Sequence, residues 1–153
     1  MTTNIWQGQL VRLRGVEPED WEMFFEWDVT VGAIDTHTCD PRNGTFQYGV
    51  TIRREHARKG YASEAIRLVL RYFFHELRYQ KVNVEIYGFN EASVKLHREL
   101  GFREEGRLRR MVYTGGAYHD SIMLGMTREE FEEAERELEA LGEKEQRRDG
   151  AEH

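Results

Sequence analysis

A chain of 153 residues is long enough to bury one core and too short for two comfortable domains. Hydrophobic residues make up 39% and aromatics 12%, enough for a packed interior, while a net charge of -6 argues against a nucleic-acid surface as the main feature. One cysteine, Cys39, excludes an internal disulfide, no run approaches the roughly 20 apolar residues of a membrane span, and Met1–Trp6 has neither a basic leader nor an apolar segment, so a reducing cytoplasm is the expected compartment.

Along the chain, Gln9–Arg14 alternates Leu10, Arg12 and Arg14 with Val11, Leu13 and Gly15, which predicts a short strand. Pro18-Glu19-Asp20 opens a helix, with Pro early and acids in the first turn. Its residues Trp21, Phe24, Phe25 and Asp28 share one face, and the aromatics read as core. Val29–His37 is a second extended stretch. Asp40-Pro41-Arg42-Asn43-Gly44 is a turn, and Thr45–Ile52 returns as a strand, so the pair forms a hairpin. Cys39 beside that turn is not read as a nucleophile.

Arg54–Tyr79 is a loop followed by a helix. Ala62, Ala65, Ile66, Val69, Leu70, Phe73, Phe74 and Leu77 recur at helical spacing. Lys81–Tyr87 is a strand with Val82, Val84 and Ile86 on one side and Asn83, Glu85 and Tyr87 on the other. A helix over Glu91–Leu100 and a strand over Phe102–Tyr113 follow. Gly115-Gly116 marks a turn, and Tyr118–Met126 is the last strand. Thr127-Arg128-Glu129-Glu130 has capping-box character and starts a final helix. The elements predict an α/β (α+β) fold, a mixed sheet covered by helices, in a single domain over residues 1–141. Residues 142–153 read as a charged flexible tail.

The chemistry concentrates at Arg58-Lys59-Gly60-Tyr61-Ala62, between the strand Tyr48–Ile52 and the long helix. A glycine at a strand-to-helix turn lets the backbone approach a ligand, and the free N–H groups of the first helical turn hold an anion. Arg53, Arg54, Arg58 and Lys59 add a basic patch; the plainer reading is a solvated loop. Asn90 and Ser93 stand at the mouth of the next helix, where short polar side chains satisfy free amides. His37, His56, His75, His97 and His119 form no tight ligand pairs, so no metal site is expected.

These segments resemble the GNAT acetyltransferase superfamily, most closely its bacterial branch acting on ribosomal-protein N-termini and polyamines. The likeness rests on Tyr48–Ile52 as central strand, Ala57–Ala62 as pyrophosphate loop, Asn90-Glu91-Ala92-Ser93, and His97-Arg98-Glu99-Leu100-Gly101-Phe102. Arg107-Leu108-Arg109-Arg110 and Gly116-Ala117-Tyr118-His119-Asp120 add to it, and it spans residues 11–131. The resemblance implies a V-shaped splay between two central parallel strands, Tyr48–Ile52 and Lys81–Tyr87, with helices on both faces. It implies acetyl-CoA as cosubstrate. Val50, Thr51 and Ile52 would meet the pantetheine arm, Ala57, Arg58, Lys59, Gly60, Tyr61 and Ala62 the pyrophosphate, and Asn90, Ser93 and Lys95 the rest of the cofactor.

The implied reaction is direct transfer of an acetyl group to a primary amine of a small molecule, polyamine or protein N-terminus. It needs a base for the amine proton, a donor for the departing thiolate and a donor near the developing oxyanion. His97 stands where the family places a tyrosine acid, though it also suits packing three residues from Val94. Tyr87 and Tyr113 are alternative donors. Glu85 can relay a proton or simply face outward, and Gln47, where relatives carry Glu, can only orient water. His119-Asp120 reads as structural or close to the acceptor.

Two departures stand out. Ala57 replaces the polar residue that opens the family loop. The chain also lacks a helix and a strand's worth of residues between Trp21–Asp28 and the hairpin, where relatives wall the acceptor groove. Two functions follow from the resemblance: an active N-acetyltransferase, or a CoA-binding or structural relative with degraded activity. The thin cover over Val29–Ile52 predicts a homodimer, with no nucleic-acid or membrane partner.

Overall fold

The computed structural model describes residues 4–17 and 31–151. The helix expected over Pro18–Asp28 and the start of the Val29–His37 stretch lie outside them. The chain divides into two compact units, Met1–Tyr79 and Gln80–His153. Strands and helices alternate through both, the mixed α/β architecture expected.

In the first unit, β1 (Gly32–Asp40) pairs antiparallel with β2 (Thr45–Ile52), Ile34 opposite Val50 and Thr36 opposite Tyr48. The connecting turn is organised by Asp40, whose Oδ1 accepts from the amides of Arg42 and Asn43 at 3.0 and 3.1 Å. This is the Asx-turn chemistry that the Asp-Pro-Arg-Asn-Gly run predicts. Period-2 alternation sends Phe46 and Tyr48 to one face, and both are buried. Phe46 stacks on Phe73 at 4.0 Å between centroids and meets Phe74 and Tyr79 edge-on at 6.0 and 5.7 Å.

Those partners arrive on and just beyond α1 (Tyr61–Arg71), which buries Ala65, Ile66, Leu68, Val69 and Leu70 along one stripe. Its end widens into a π-turn over Tyr72–Glu76, closed by Leu77 N–H donating to the Tyr72 carbonyl at 3.0 Å. The strand expected over Gln9–Arg14 is instead a tight reversal. Gly8 N–H donates to the Val11 carbonyl, Leu13 N–H to that of Trp6, and only an isolated Gln7–Arg12 bridge is strand-like. Apolar alternation misleads there, because the amides that a sheet partner would take are taken by a side chain, that of Glu64.

In the second unit, β3 (Lys81–Tyr87), β5 (Ala117–Thr127) and β4 (Arg103–Thr114) lie side by side in that order, all antiparallel. Val82, Val84 and Ile86 are buried, as are Ile122, Leu124 and Met126 opposite them. Asn83, Glu85 and Tyr87 take the other face. Gly115 and Gly116 both have positive φ, 59° and 78°, as a two-residue hairpin turn requires.

Between Leu108 and Val112 the register of β4 shifts, and Arg110 adopts φ 59°. Its N–H donates to Asp120 Oδ1 at 3.0 Å, and its guanidinium lies 4.5 Å from the Tyr118 ring centre. The bulge is therefore pinned from β5 by Asp120.

Helix α2 (Glu91–Glu99) follows β3, and α3 (Arg128–Ala151) closes the chain. The capping box at the start of α3 forms as its residues predict. Glu130 N–H donates to Thr127 Oγ1 at 3.2 Å, and Thr127 N–H to Glu130 Oε2 at 2.9 Å. The stretch from residue 142, expected as a charged flexible tail, is helical to Ala151. Glu, Lys, Gln, Arg and Ala are strong helix formers, so the polar composition that suggests disorder also sustains a helix.

Because Phe46 lies 1% exposed amid three aromatic partners, Phe46→Ala should cost about 3–5 kcal/mol, read as a lowered urea midpoint with little change in slope.

Candidate active site

Residues that the sequence singles out lie in each unit. In the first, β2 delivers the chain into a single 3₁₀ turn, Arg54–His56, and then into the turn that precedes α1. Arg58 has φ 61° and Gly60 φ 81°. The left-handed region is natural for glycine and costs an arginine on the order of 1–2 kcal/mol. Gly60 is the N-cap of α1, and no side chain caps that end. Glu64 N–H donates to the Gly60 carbonyl at 3.1 Å, which starts the helical ladder one turn in. The amides before it belong to the first turn, which has no intrahelical acceptors. Ala57, Arg58, Lys59 and Gly60 are exposed. Glycine at the cap, the first-turn amides and two surface cations are the elements from which an anion cradle is built.

In the second unit, Asn90 caps α2, its Oδ1 accepting from Ser93 N–H at 3.2 Å. Lys95 is largely exposed and lies 3.8 Å from Glu99. It lines a groove of about 520 Å³ with Gly88, Glu91, Val94, Arg98 and Arg107.

His97 is buried at 2% exposure. Its Nδ1 is 2.8 Å from the Ser93 carbonyl oxygen, which can only accept, so Nδ1 carries the proton. The helix then ends in a Schellman motif. Phe102 N–H donates to the His97 carbonyl and Gly101 N–H to that of Arg98, with Gly101 at φ 103°. The hydrophobic contact that accompanies this motif is His97 against Phe102, edge to face at 5.2 Å. The Leu-Gly-Phe signature is thus a helix stop, and His97 is packed into it. Burial holds the His97 pKa below its ordinary 6.5, opposed in part by the bond to Ser93. The ring is neutral at pH 7, and its one proton is committed to Ser93.

Glu85 and Tyr87 share the polar face of β3, and both are exposed. Ser121, fully buried and opposite Tyr87, donates its hydroxyl to Glu85 Oε1. Phe89 lies 5.7 Å from the Tyr87 ring and 4.9 Å from that of His119. A carboxylate and three aromatic rings therefore occupy neighbouring positions. Ser121 joins this cluster through the β3–β5 register, a non-local pairing that single-strand periodicity cannot reveal. Lower on the same face, Glu105 accepts from Lys81 and, at 2.9 Å, from Asn83. Tyr113 lies at the hairpin end beside Tyr118, 5.0 Å away, and is 65% exposed. Among the described residues, no three His, Cys, Asp or Glu side chains converge to hold a metal, and no helix is long and apolar enough to cross a membrane.

The acetyltransferase (GNAT) domain family matches residues 12–103, which span the loop, β3 and α2. The chain belongs to the GNAT family. The SPbeta prophage-derived uncharacterized N-acetyltransferase YokL of Bacillus subtilis (strain 168) is 54% identical over 102 residues, covering 67% of this chain and 58% of YokL. A spermidine N(1)-acetyltransferase of Vibrio cholerae is 35% identical over 90 residues, covering 59% of this chain and 52% of that protein. Among solved structures, a point mutant of the Vibrio cholerae spermidine N-acetyltransferase SpeG matches with TM-score 0.62 at 26% identity, covering 66% of this chain and 60% of that one. This GNAT chain thus spans less than two thirds of the length of each of these relatives. The family resemblance drawn from the sequence is borne out, including its spermidine acetyltransferase branch.

The His97 environment carries a pH signature. The unfolded chain protonates this ring near its ordinary value of 6.5, while the folded protein resists until lower pH. The unfolded state therefore binds more protons in that interval, and stability falls as pH drops through and below 6.5. His97→Asn, which keeps a donor for the Ser93 carbonyl and removes the titration, should flatten this part of the stability profile in urea melts at stepped pH.

Proposed function

We propose that this GNAT chain is an acetyl-CoA-dependent N-acetyltransferase that moves an acetyl group directly to a primary amine. The observation that carries the reading is the left-handed Arg58–Gly60 turn at the uncapped N-terminus of α1. Its donor set fits a diphosphate: backbone N–H groups at a helix start, flanked by exposed Arg58 and Lys59. Ala57, Tyr61 and Ala62 complete this cradle. The main chain of Val50, Thr51 and Ile52 would meet the pantetheine arm, and Asn90, Ser93 and Lys95 would support the rest of the cofactor.

When bound, acetyl-CoA supplies an acetyl group already activated as a thioester. The chain's part is to place it and to move protons. Glu85 is the proton acceptor for the incoming amine, held in orientation by the Ser121 hydroxyl. Tyr87, two residues along the same face, gives a phenolic proton to the departing thiolate. His97 is left out of this assignment because its proton is bound to Ser93 and its ring is buried.

The acceptor in this reading is a cationic amine. Support comes from the net charge of -6, from Glu85 on the same strand face as Tyr87, whose ring packs on Phe89, and from the spermidine acetyltransferases among the relatives. A homodimer in a reducing cytoplasm remains the expected assembly and setting.

Calorimetric titration with acetyl-CoA, followed by free-thiol detection across a panel of polyamines and peptides, tests the activity. Binding with thiol release on a cationic amine is the expected result. Binding without release on any acceptor would favour the CoA-binding alternative. Gly60→Val, which forces a β-branched residue to φ 81°, should weaken acetyl-CoA binding by tenfold or more, on the order of the strain it introduces; unchanged affinity in folded protein would remove the cradle. Tyr87→Phe should lower turnover by about 10²-fold while leaving cofactor affinity unchanged.

A further inference from the structure

Glu64 sits in the first turn of α1, four residues after Gly60. Its carboxylate does not face solvent alone. It accepts from three successive backbone amides: Gln9 at 2.8 Å on Oε1, and Leu10 and Val11 at 2.7 and 2.6 Å on Oε2. The turn that presents them is closed by Gly8 N–H donating to the Val11 carbonyl at 2.9 Å. Consecutive amides converging on one anion make a nest, and here a side chain of the same unit fills it.

The Gly8–Val11 turn approaches so closely that a Cβ on Gly8 would run into the Glu64 carboxylate. The far side of the turn reaches the anion cradle. Leu10 Cδ1 lies 3.2 Å from where a Cβ of Gly60 would stand. At the other end of the segment, Trp6 packs on Tyr72 with ring centres 4.6 Å apart. The N-terminal segment is thus fastened to α1 and the π-turn at both ends, and its middle rests against the left-handed turn.

We propose that Glu64 is a positioning residue for pyrophosphate binding. It holds the Gly8–Val11 turn so that Leu10 backs Gly60 and keeps the Arg58–Gly60 backbone in its left-handed form. The inference rests on the cofactor reading above. A carboxylate in the first helical turn would by itself repel a diphosphate at the neighbouring amides. Three N–H groups pointed at it offset that charge while tying the two segments together.

Two perturbations separate position from charge. Glu64→Gln removes the charge and weakens the acceptor; Gly8→Ala keeps the charge and displaces the carboxylate. If Glu64 only repelled the cofactor, Glu64→Gln would tighten binding and Gly8→Ala would do little. As a positioning residue, both substitutions should weaken coenzyme A binding by about tenfold, the scale of one lost charge-assisted contact. Affinity for pantetheine, which lacks the pyrophosphate, should stay unchanged. Circular dichroism melts confirm the folded fraction.

Amide hydrogen exchange, read without any ligand, gives the independent arm. Exchange should quicken in both variants at residues 9–11 and also at residues 58–62. Quickening at 9–11 alone, or coenzyme A affinity equal to wild type in either folded variant, would overturn the assignment. Failure of the wild-type protein to bind coenzyme A would overturn the cofactor reading instead, and exchange at residues 58–62 would still decide whether Glu64 positions the loop.

Discussion

The left-handed backbone at Gly60 is the constraint around which the first unit is organised. A helix that begins after a residue with φ 81° starts abruptly, with no side chain to cap it. That beginning is tolerable because the rest of α1 is held independently. Its stripe of Ala65, Ile66, Leu68, Val69 and Leu70 is buried, and the π-turn beyond it delivers Phe73 and Phe74 to Phe46. The aromatic cluster fixes the helix from its C-terminal side, so its N-terminal end needs no cap to hold it. Arg58 at φ 61° is a residue held against its own preference. Such strain persists only where surrounding structure over-determines it, and it collects at binding loops.

In the second unit the dividing principle is the two-sidedness of the sheet. On one side of β3 and β5, Val82, Val84, Ile86, Ile122, Leu124 and Met126 are apolar and buried. The other carries Lys81, Asn83, Glu85 and Ser121, each satisfied by a charged or hydroxyl partner. Burying Ser121 beneath Glu85 gives the carboxylate a fixed donor, which limits its rotamers. The pinned bulge at Arg110 twists β4 locally, and Asp120 holds it from the neighbouring strand. Polar partners are thereby confined to one face, while the opposite face supplies cohesion.

Much of this is legible in the residues. The alternation of Thr45–Ile52 and Lys81–Tyr87, the Asp40 turn, the two-glycine hairpin and the Thr127–Glu130 capping box are local patterns with local causes, and each forms where its pattern lies. What the local pattern does not reveal rests on side-chain partners outside each segment's own periodicity. Leu10 and Val11 alternate like a strand, yet Glu64, far along the chain, decides their conformation. His97, open in the sequence to both an acid's role and packing, is buried with Nδ1 on the Ser93 carbonyl and its ring against Phe102. The Glu85–Ser121 pair depends on strand register, which no single segment encodes.

The last helix shows how little a ground-state conformation says about the cost of leaving it. Phe131 is buried near the start of α3, but every residue from Arg136 to Gly150 is exposed. Beyond the anchored first turns, only intrinsic propensity and side-chain pairs such as Arg136–Glu133 hold the helix. A segment of that kind obeys a helix–coil equilibrium of its own, set by temperature and salt and separate from the cooperative unfolding of the packed core. Its ellipticity would fade gradually on warming, ahead of the main transition, so a far-ultraviolet melt of this protein would slope before it breaks.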